Sequence, residues 1–572
     1  MPLQPIRPLR ICIVVACLLT ATTSRAQFTL DGRAAAYDSL TATYLFTLPS
    51  DSFGRDYHAL LTLDSLAGTY LVIDGDTLLS GDSCTFTSLD ALTPHTLLTA
   101  NGDNAGLSFT CLPLLLLSGS FGYDYTAGTV TLILPQEEEG TDSDLTDMSA
   151  KIKWRGGSTN SSSRHKRNYH IKFLKASGEK KNRRFFNLRN DNDWLLDAAQ
   201  IDMSRCRNRV VTDLWLDFCT PPHYIDSAPS ALSAARGRFC EVFVNNQYAG
   251  IYSLTENVDA KQLDLVDYDD DEDIHHGHLW KTKSYSGATM MTATVSFDDS
   301  LELSNGVEVK YPDIDDVCPT DWSLYSQALD FVVNASDADF SLLVGDYFDL
   351  PVLVDYYILL QVVMGHDNYA KNIFWACRDE QTSPLLTLAV WDLDATVGQH
   401  YDNSDSHYRS ETIGPEVDFL DTWCYNRLLW RLSELSWFND LVDDRYTALR
   451  TTHLCTDSLC QRFTDAISLF TISGAAGREE QRWSGDTDIN ERTLDLSDEL
   501  LYITDWLTRR MAYLDNVLAP TAIEAPCAER LGASSSSSDI VYTLSGQALR
   551  HGLDAPLPPG IYLHQGRKIL IR

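Results

Sequence analysis

Three things are scarce in this 572-residue chain: positive charge, closely spaced cysteines and long apolar runs. Only 45 Lys and Arg stand against 80 Asp and Glu, for a formal net charge of −35. So acidic a surface repels polyphosphate backbones and anionic membranes, which excludes general nucleic-acid binding. None of the 13 cysteines forms a C-x-x-C pair, so a zinc site has little support. Cys84 and Cys111 could be bridged in an oxidising compartment and Cys455 and Cys460 could close a small loop, but buried free thiols account for them equally well. Past the first 26 residues no apolar run reaches the length needed to cross a bilayer, so no integral membrane span is expected. Hydrophobic residues at 44% and charged residues at 22% describe an ordinary globular chain, long enough for three or four domains.

The first 26 residues read as an export signal. Arg7 and Arg10 form a basic region, Ile11 to Leu19 an apolar core, and Ser24-Arg25-Ala26 a small-residue cleavage site before Gln27. Val14-Val15-Ala16-Cys17 resembles a lipobox, but the apolar run continues through Leu18 and Leu19, so the expectation is export without lipid at Cys17. Residues 27–118 alternate apolar and polar residues between turn signals such as Asp74-Gly75-Asp76, which predicts an antiparallel, immunoglobulin-like β-sandwich. Mixed strands and helices, then mainly helices, fill 119–520. Apolar-periodic stretches run over Leu353 to Met364, Thr422 to Leu435 and Leu500 to Val517. A linker with five serines, Ser534 to Ser538, occupies 521–538. The tail, 539–572, has short strand signals with Gly546, Gly560 and Gly566 at turns.

Positive charge is concentrated. From Lys151 to Asn190 there are 13 Lys or Arg and one acid, Glu179. The strand Lys151-Ile152-Lys153-Trp154-Arg155 leads into a flexible polar loop, Gly156-Gly157-Ser158-Thr159-Asn160 and three more serines. A second strand, Tyr169-His170-Ile171-Lys172-Phe173, returns. Such a hairpin can lay backbone N–H groups and hydroxyls on phosphate oxygens, with Lys172 reaching the same anion.

A second constellation is acidic. Asp349 and Pro351 mark the start of an apolar helix that stops at Gly365. The loop Gly365-His366-Asp367-Asn368-Tyr369-Ala370-Lys371-Asn372 follows, then a strand from Ile373 to Cys377 and another from Leu386 to Val390. The second strand ends in Trp391-Asp392-Leu393-Asp394. Protein kinases use this order: a loop Asp that orients the hydroxyl nucleophile, an Asn on one Mg²⁺, and a later Asp on the metals. Oxygen ligands on adjacent strand ends suit hard Mg²⁺.

In these stretches, with Asp193-Trp194-Leu195-Leu196, Arg207-Asn208, Glu241 to Asn245 and Gly250 to Glu256, the sequence resembles the CotH kinase family of atypical secreted and spore-coat kinases. The resemblance covers residues 125–400 and extends loosely to 520. It implies an α+β fold class: an atypical, two-lobed protein-kinase-like domain, preceded here by the all-β sandwich and followed by the β tail. It further implies that Arg155, Gly156, Gly157 and Ser158 cover the phosphates of ATP and that Lys172 steadies them. Asp367 resembles the catalytic aspartate, and Asn372 and Asp392 the ligands of Mg²⁺ or Mn²⁺. Asp394 would assist the metal or hold the loop. Lys371 would neutralise the transferring phosphoryl group or face solvent, and Glu256 would contact the nucleotide or form a structural salt bridge. The loop reads Arg-Gly-Gly-Ser-Thr-Asn where the family has Arg-Gly-Asn-Ser-Thr-Trp, so its aromatic residue is missing. No glutamate partner for Lys172 stands out, Asp202 and Asp213 being poor candidates. The implied partners are a nucleotide and a polypeptide acceptor. The alternatives are a non-catalytic surface scaffold on the same fold, or a kinase for a glycan or small molecule.

Other features are read plainly. The run Asp264 to Asp273 before His275-His276-Gly277-His278 is expected to be a solvated insertion loop. Trp430, Trp437 and Trp483 are expected to be helix and core contacts. The tail around Leu557 to Ile571 resembles the C-terminal β-module of Bacteroidetes-type secreted proteins, which can act as a sorting signal; a plain terminal hairpin is the alternative.

Overall fold

The computed structural model describes residues 28–64, 68–315, 317–401, 406–409, 414–420, 424–518, 541–543, 548–549, 560–564 and 567–571. The export signal with Cys17, the cleavage site and the 521–538 linker lie outside the described residues. Among the described residues, no helix is long and apolar enough to cross a membrane.

Alternation in the first region produces two sheets over one core. A three-stranded sheet of Phe28–Leu30, Tyr57–Leu63 and Ser83–Phe86 shares a core with a six-stranded sheet that includes Thr43–Thr47 and Asn104–Thr110. Asp74 and Gly75 both take positive φ, 50° and 95°, which closes the two-residue hairpin between Leu71–Ile73 and Asp76–Leu78. One pair departs from the antiparallel expectation: Thr43–Thr47 runs parallel to Asn104–Thr110. The long connection between them permits it.

The run Leu114–Gly119, inside the stretch expected for the sandwich, is hydrogen-bonded elsewhere. It pairs antiparallel with Thr126–Ile133 and parallel with Gly237–Val244, and so closes a seven-stranded barrel. The remaining staves are Met148–Arg155, Asn168–Phe173, Asp193–Asp197 and Gln247–Thr255. The period-2 pattern sends Ile152, Ile171, Trp194 and Tyr252 into the barrel core. It therefore sends Lys151, Lys153, Arg155, His170, Lys172 and Asp193 to the outer face. Register pairs Lys151 with Lys172, Arg155 with Asn168, and Lys172 with Asp193.

The second lobe is a five-stranded antiparallel sheet packed among helices. Its central strands, His278–Thr282 and Ile373–Cys377, are flanked by Thr387–Val390 on one side and Val307–Tyr311 on the other. Every residue of Ile373–Cys377 and Thr387–Val390 is buried, so these strands read as continuous apolar runs. The helix Leu350–Val363 begins at Asp349 with Pro351 in its first turn and is buried from Val352 onward. The Asp349 side chain caps nothing in its own helix; its Oδ2 accepts from the His223 backbone N–H at 2.8 Å. Met364, not Gly365, takes the left-handed turn that ends the helix, with φ 51°.

The two lobes are tied by buried ions. Glu479, on the helix Ala475–Trp483, takes Lys166 Nζ and Arg205 Nε at 2.7 Å each and the Ile251 backbone N–H at 2.8 Å. Glu241 of the barrel accepts from Arg478 at 2.8 Å and from Thr110 of the sandwich at 2.7 Å. The return leg of the basic hairpin is thereby docked on the helical lobe rather than free. All ten described cysteines are free thiols, including Cys84, Cys111, Cys455 and Cys460. In the tail, the described strands form a four-stranded antiparallel sheet.

Candidate active site

Arg155 ends one barrel stave and Asp197 ends another, two strands away. Beyond Arg155, the loop turns sharply at Gly156, whose φ is 119°. A Cβ there would stand 2.0 Å from Thr159 Oγ1, so only glycine fits, whereas Gly157 has open space around it. A short 3-10 turn, Ser158–Asn160, follows. Arg167 then stacks on Trp154 and donates to the Ser161 carbonyl at 2.6 Å and the Ser162 carbonyl at 3.2 Å. The expected flexible loop is a held one.

The opposing wall comes from the second lobe. Tyr356 Oη donates to the Asn368 carbonyl, and Asn368 Nδ2 donates to the Trp391 carbonyl at 2.8 Å. The first fastens the loop 365–372 to the helix Leu350–Val363 and the second to the strand end at Asp392. Asp367 is buried, and its carboxylate is fully engaged. Oδ1 accepts from Tyr285 Oη at 2.8 Å; Oδ2 accepts from Asn372 Nδ2 at 3.0 Å and pairs with Lys371 Nζ at 2.7 Å. Asn372 and Asp392 both sit in the left-handed region, at φ 61° and 57°. Asn and Asp are the non-glycine residues that tolerate it best, and such positions cluster at functional sites.

The walls meet at Trp391. The Arg155 guanidinium lies 5.2 Å from its ring centroid and the Lys281 ammonium 4.9 Å, the latter from near the end of the central strand His278–Thr282. Asn208, in the first turn of the helix Arg207–Phe218, spans the lobes. Its Nδ2 donates to Asp197 Oδ2 at 2.6 Å, and its Oδ1 accepts from the Leu393 backbone N–H at 2.9 Å. The preceding Arg207 anchors the same loop through the carbonyls of Thr396 and Val397.

Electrostatics follow from the crowding. Burial, then Asp392, Asp197, Asp367 and Asp202, pushes Asp394 well above the usual carboxylate range. Burial and Asp197 push Asp392 upward as well, against Lys281 and Arg155, which pull it down. Burial and Arg155 depress Lys281 to about 7, with Asp392 and Glu308 opposing. Asp392 and Asp394 are half-buried.

The structure thus brings together Arg155, Gly156, Asp367, Lys371, Asn372, Asp392 and Asp394. Lys172 is engaged beside this group rather than within it, with Asp193, whose carboxylate in turn acts on Arg155. Lys172 stands four residues along its strand from Asn168, the residue opposite Arg155, about 13 Å at strand rise. Its Nζ lies 3.4 Å from Asp193 Oδ2. Neither Asp202 nor Asp213 serves it, for those two pair with Arg207 and Arg209. Glu256 is fully buried between Arg236, at 2.6 Å, and the Arg189 backbone N–H, at 2.7 Å, in a structural ion pair. Asp197, Lys281 and Tyr285 were not anticipated, and Asn208 stood within the resemblance with no role assigned. The available signal was a lone polar residue in or ending an otherwise buried strand: Asp197 after Leu195-Leu196, Lys281 after Leu279-Trp280. The acidic insertion is solvated as expected, with His276 and His278 turned instead to Asp379 and Glu380. Trp483 is buried as expected, whereas Trp430 is 53% exposed.

A family model described as CotH kinase protein matches residues 152–514, from the stave that ends in Arg155 to the last turn of the helix Leu496–Leu518. The chain belongs to the CotH kinase family. No curated protein matches it. The matched CotH region contains both walls, Arg155 with its loop and Asp367 through Asp394, together with Asn208 between them. Kinases of this kind imply a nucleotide and a divalent metal, and the donor set here fits one. Asp392, Asp394 and the carboxamide oxygen of Asn372 are hard oxygen ligands of the kind Mg²⁺ prefers.

Proposed function

We propose that this protein is an exported kinase-type phosphotransferase that moves the terminal phosphoryl group of Mg-ATP to a Ser or Thr hydroxyl of a polypeptide acceptor. One observation carries the reading. Asp392 and Asp394, held above the usual carboxylate range by burial and by acidic neighbours, share a strand end with two cations stacked on a single indole, Trp391. A ligand that answers both must bring a cation for Asp392 and Asp394 and anions for Arg155 and Lys281. A metal-bound polyphosphate does so.

In this reading the N–H groups of Gly157 and Ser158 lie over the phosphates, and Arg155 and Lys281 face their oxygens from the Trp391 side. Asp392, Asp394 and Asn372 would hold Mg²⁺, which when bound neutralises phosphate charge. Tyr285 and Asn372 fix the Asp367 carboxylate so that it orients the acceptor hydroxyl and receives its proton. Lys371, paired with Asp367 in the resting site, turns to the transferring group as its charge develops. The 26-residue amino-terminal signal puts the acceptors outside the cytoplasm.

A thermal shift with Mg-ATP, compared with ATP plus chelator, tests the site; label transfer from [γ-³²P]ATP to polypeptide or to glycan then tests the reaction. A metal-independent shift refutes the metal assignment, and a labelled glycan pool without labelled polypeptide replaces the acceptor class. The second reading, a binding protein that has kept the fold, is favoured by the 2.7 Å Lys371–Asp367 pair, which occupies the base. It predicts a nucleotide-dependent shift with no turnover, unchanged when Lys371 is replaced by Met.

A further inference from the structure

The basic hairpin has a second end. Past the serines, Arg164, His165 and Lys166 lie against the turn Asp486–Asp488, more than 300 residues later in the chain. Asp488 is 5% exposed. Its Oδ2 accepts the backbone N–H groups of His165 at 2.8 Å and Lys166 at 2.9 Å. Its Oδ1 is buried and accepts no hydrogen bond, with Arg164 Nη1 3.9 Å away. A desolvated carboxylate oxygen left without a donor is costly in a folded protein. Beside it, His165 Nδ1 stands 2.9 Å from Asp486 Oδ2 and 3.1 Å from Oδ1. One ligand atom from each of His165, Asp486 and Asp488 lies within 4.8 Å of the other two; among the described residues, no other group of three His, Cys, Asp or Glu does so. None of the three belongs to the Asp392 centre.

We propose that His165, Asp486 and Asp488 form a second cation site, which takes a borderline divalent ion such as Zn²⁺ or Mn²⁺ and clips the hairpin loop to the helical lobe. The donor chemistry sets the class of ion. One imidazole nitrogen with two carboxylates suits Zn²⁺ or Mn²⁺, whereas the all-oxygen set at Asp392 suits Mg²⁺. Three protein ligands leave a position for water. The ion gives Asp488 Oδ1 a closer partner than the 3.9 Å Arg164 guanidinium, and Arg164, 23% exposed in its side chain, can turn to solvent. Any proton held between His165 Nδ1 and Asp486 leaves to solvent as the nitrogen ligates. The loop that begins at Gly156 over the nucleotide is then pinned at its far end as well, so occupancy of the clip stiffens the phosphate cover from outside the active site.

The test uses the full chain with Asp392→Asn, which silences the other centre, and Zn²⁺ and Co²⁺ as probes. Equilibrium dialysis should find one Zn²⁺ per chain, Co²⁺ should show visible bands indicative of nitrogen ligation, and Zn²⁺ should raise the unfolding midpoint. Adding His165→Gln or Asp486→Asn should abolish all three. Circular dichroism verifies folding, and His165→Gln alters a half-exposed side chain that can still hydrogen-bond to Asp486. A stoichiometry and thermal shift unaffected by His165→Gln overturn the proposal, as does an Asp392→Asn protein that binds no Zn²⁺. None of the three readouts depends on phosphoryl transfer.

Discussion

On the barrel face, His170 Nε2 lies 2.6 Å and Lys172 Nζ 3.4 Å from the two oxygens of Asp193, and Lys166 is closed against Glu479. Although burial raises Asp193, His170 and Lys172 hold it below the usual carboxylate range. At the strand end opposite, burial first and then Asp392, Asp197, Asp367 and Asp202 push Asp394 the other way, and Asp392 rises too although Lys281 and Arg155 pull it down. Both regions are dense in ions, but one is closed on itself and the other is in deficit. A compensated cluster holds structure together, whereas an uncompensated one is poised for a ligand. That difference, more than the concentration of charge, separates scaffold from site here.

Breaking the compensated side should cost the most. Glu479→Ala strands Lys166 and Arg205 in a dry interface, and removing one partner of a buried pair typically costs about 3–5 kcal/mol. Denaturant unfolding of the purified variant measures it; a loss under about 1 kcal/mol would mean that the lobes are held by apolar packing alone. Next comes the deficient side. Asp392→Asn should leave folding intact and cut phosphoryl transfer by about 10²–10³-fold, the scale of removing one electrostatic stabiliser from a preorganised site. Retained transfer in a ³²P assay would sink the metal assignment.

Lys281 and Lys172 sharpen the comparison because both are strand lysines, Lys172 on an alternating stave and Lys281 on an otherwise buried strand. Lys281→Met should weaken nucleotide binding about tenfold, whereas Lys172→Met, which loses only a part-exposed ion pair, should cost under about 1 kcal/mol of stability and little affinity. Lys281 also predicts a pH dependence. Burial holds its folded pKa at about 7, below the ordinary 10.5, so its charge is present below pH 7 and lost above it. Nucleotide affinity measured by calorimetry should therefore weaken as pH rises through 7, with proton uptake on binding, and Lys281→Met should flatten that limb. For stability the sign reverses: the unfolded chain binds the extra proton between about 7 and 10.5, so this group adds stability as pH rises across that window.

The same pair explains what the sequence made legible. The strands Lys151 to Arg155, Tyr169 to Phe173 and Ile373 to Cys377 were readable because alternation or an unbroken apolar run is local. So was the order Asp367, Asn372, Asp392, which spans one helix end and one hairpin. Lys281, Asp197 and Asn208 were not, because their membership depends on which strand ends tertiary packing brings to Trp391. Nothing near Lys172 in the chain says that its rise along the stave carries it away to Asp193. Barrel closure by Leu114–Gly119 against Gly237–Val244 and the Lys166–Glu479 pair, 313 residues apart, are equally non-local.

The smallest expected effect is the most local. Gly156 and Gly157 are adjacent and chemically identical, yet the backbone treats them differently. Gly156→Ala puts a Cβ 2.0 Å from Thr159 Oγ1 at φ 119°, a conformation that L-residues rarely adopt. The loop must then rearrange, at a cost of about 1–2 kcal/mol. Because that loop lies over the proposed phosphate site, the cost should appear as a several-fold loss of nucleotide affinity with the unfolding midpoint nearly unchanged. Gly157→Ala meets nothing within 4 Å and no positive φ, so its effect should stay within about 0.5 kcal/mol. Equal effects of the two substitutions on affinity would show that the turn at Gly156 does not shape the cover, and the basic hairpin would then belong wholly to the compensated, structural side of the molecule.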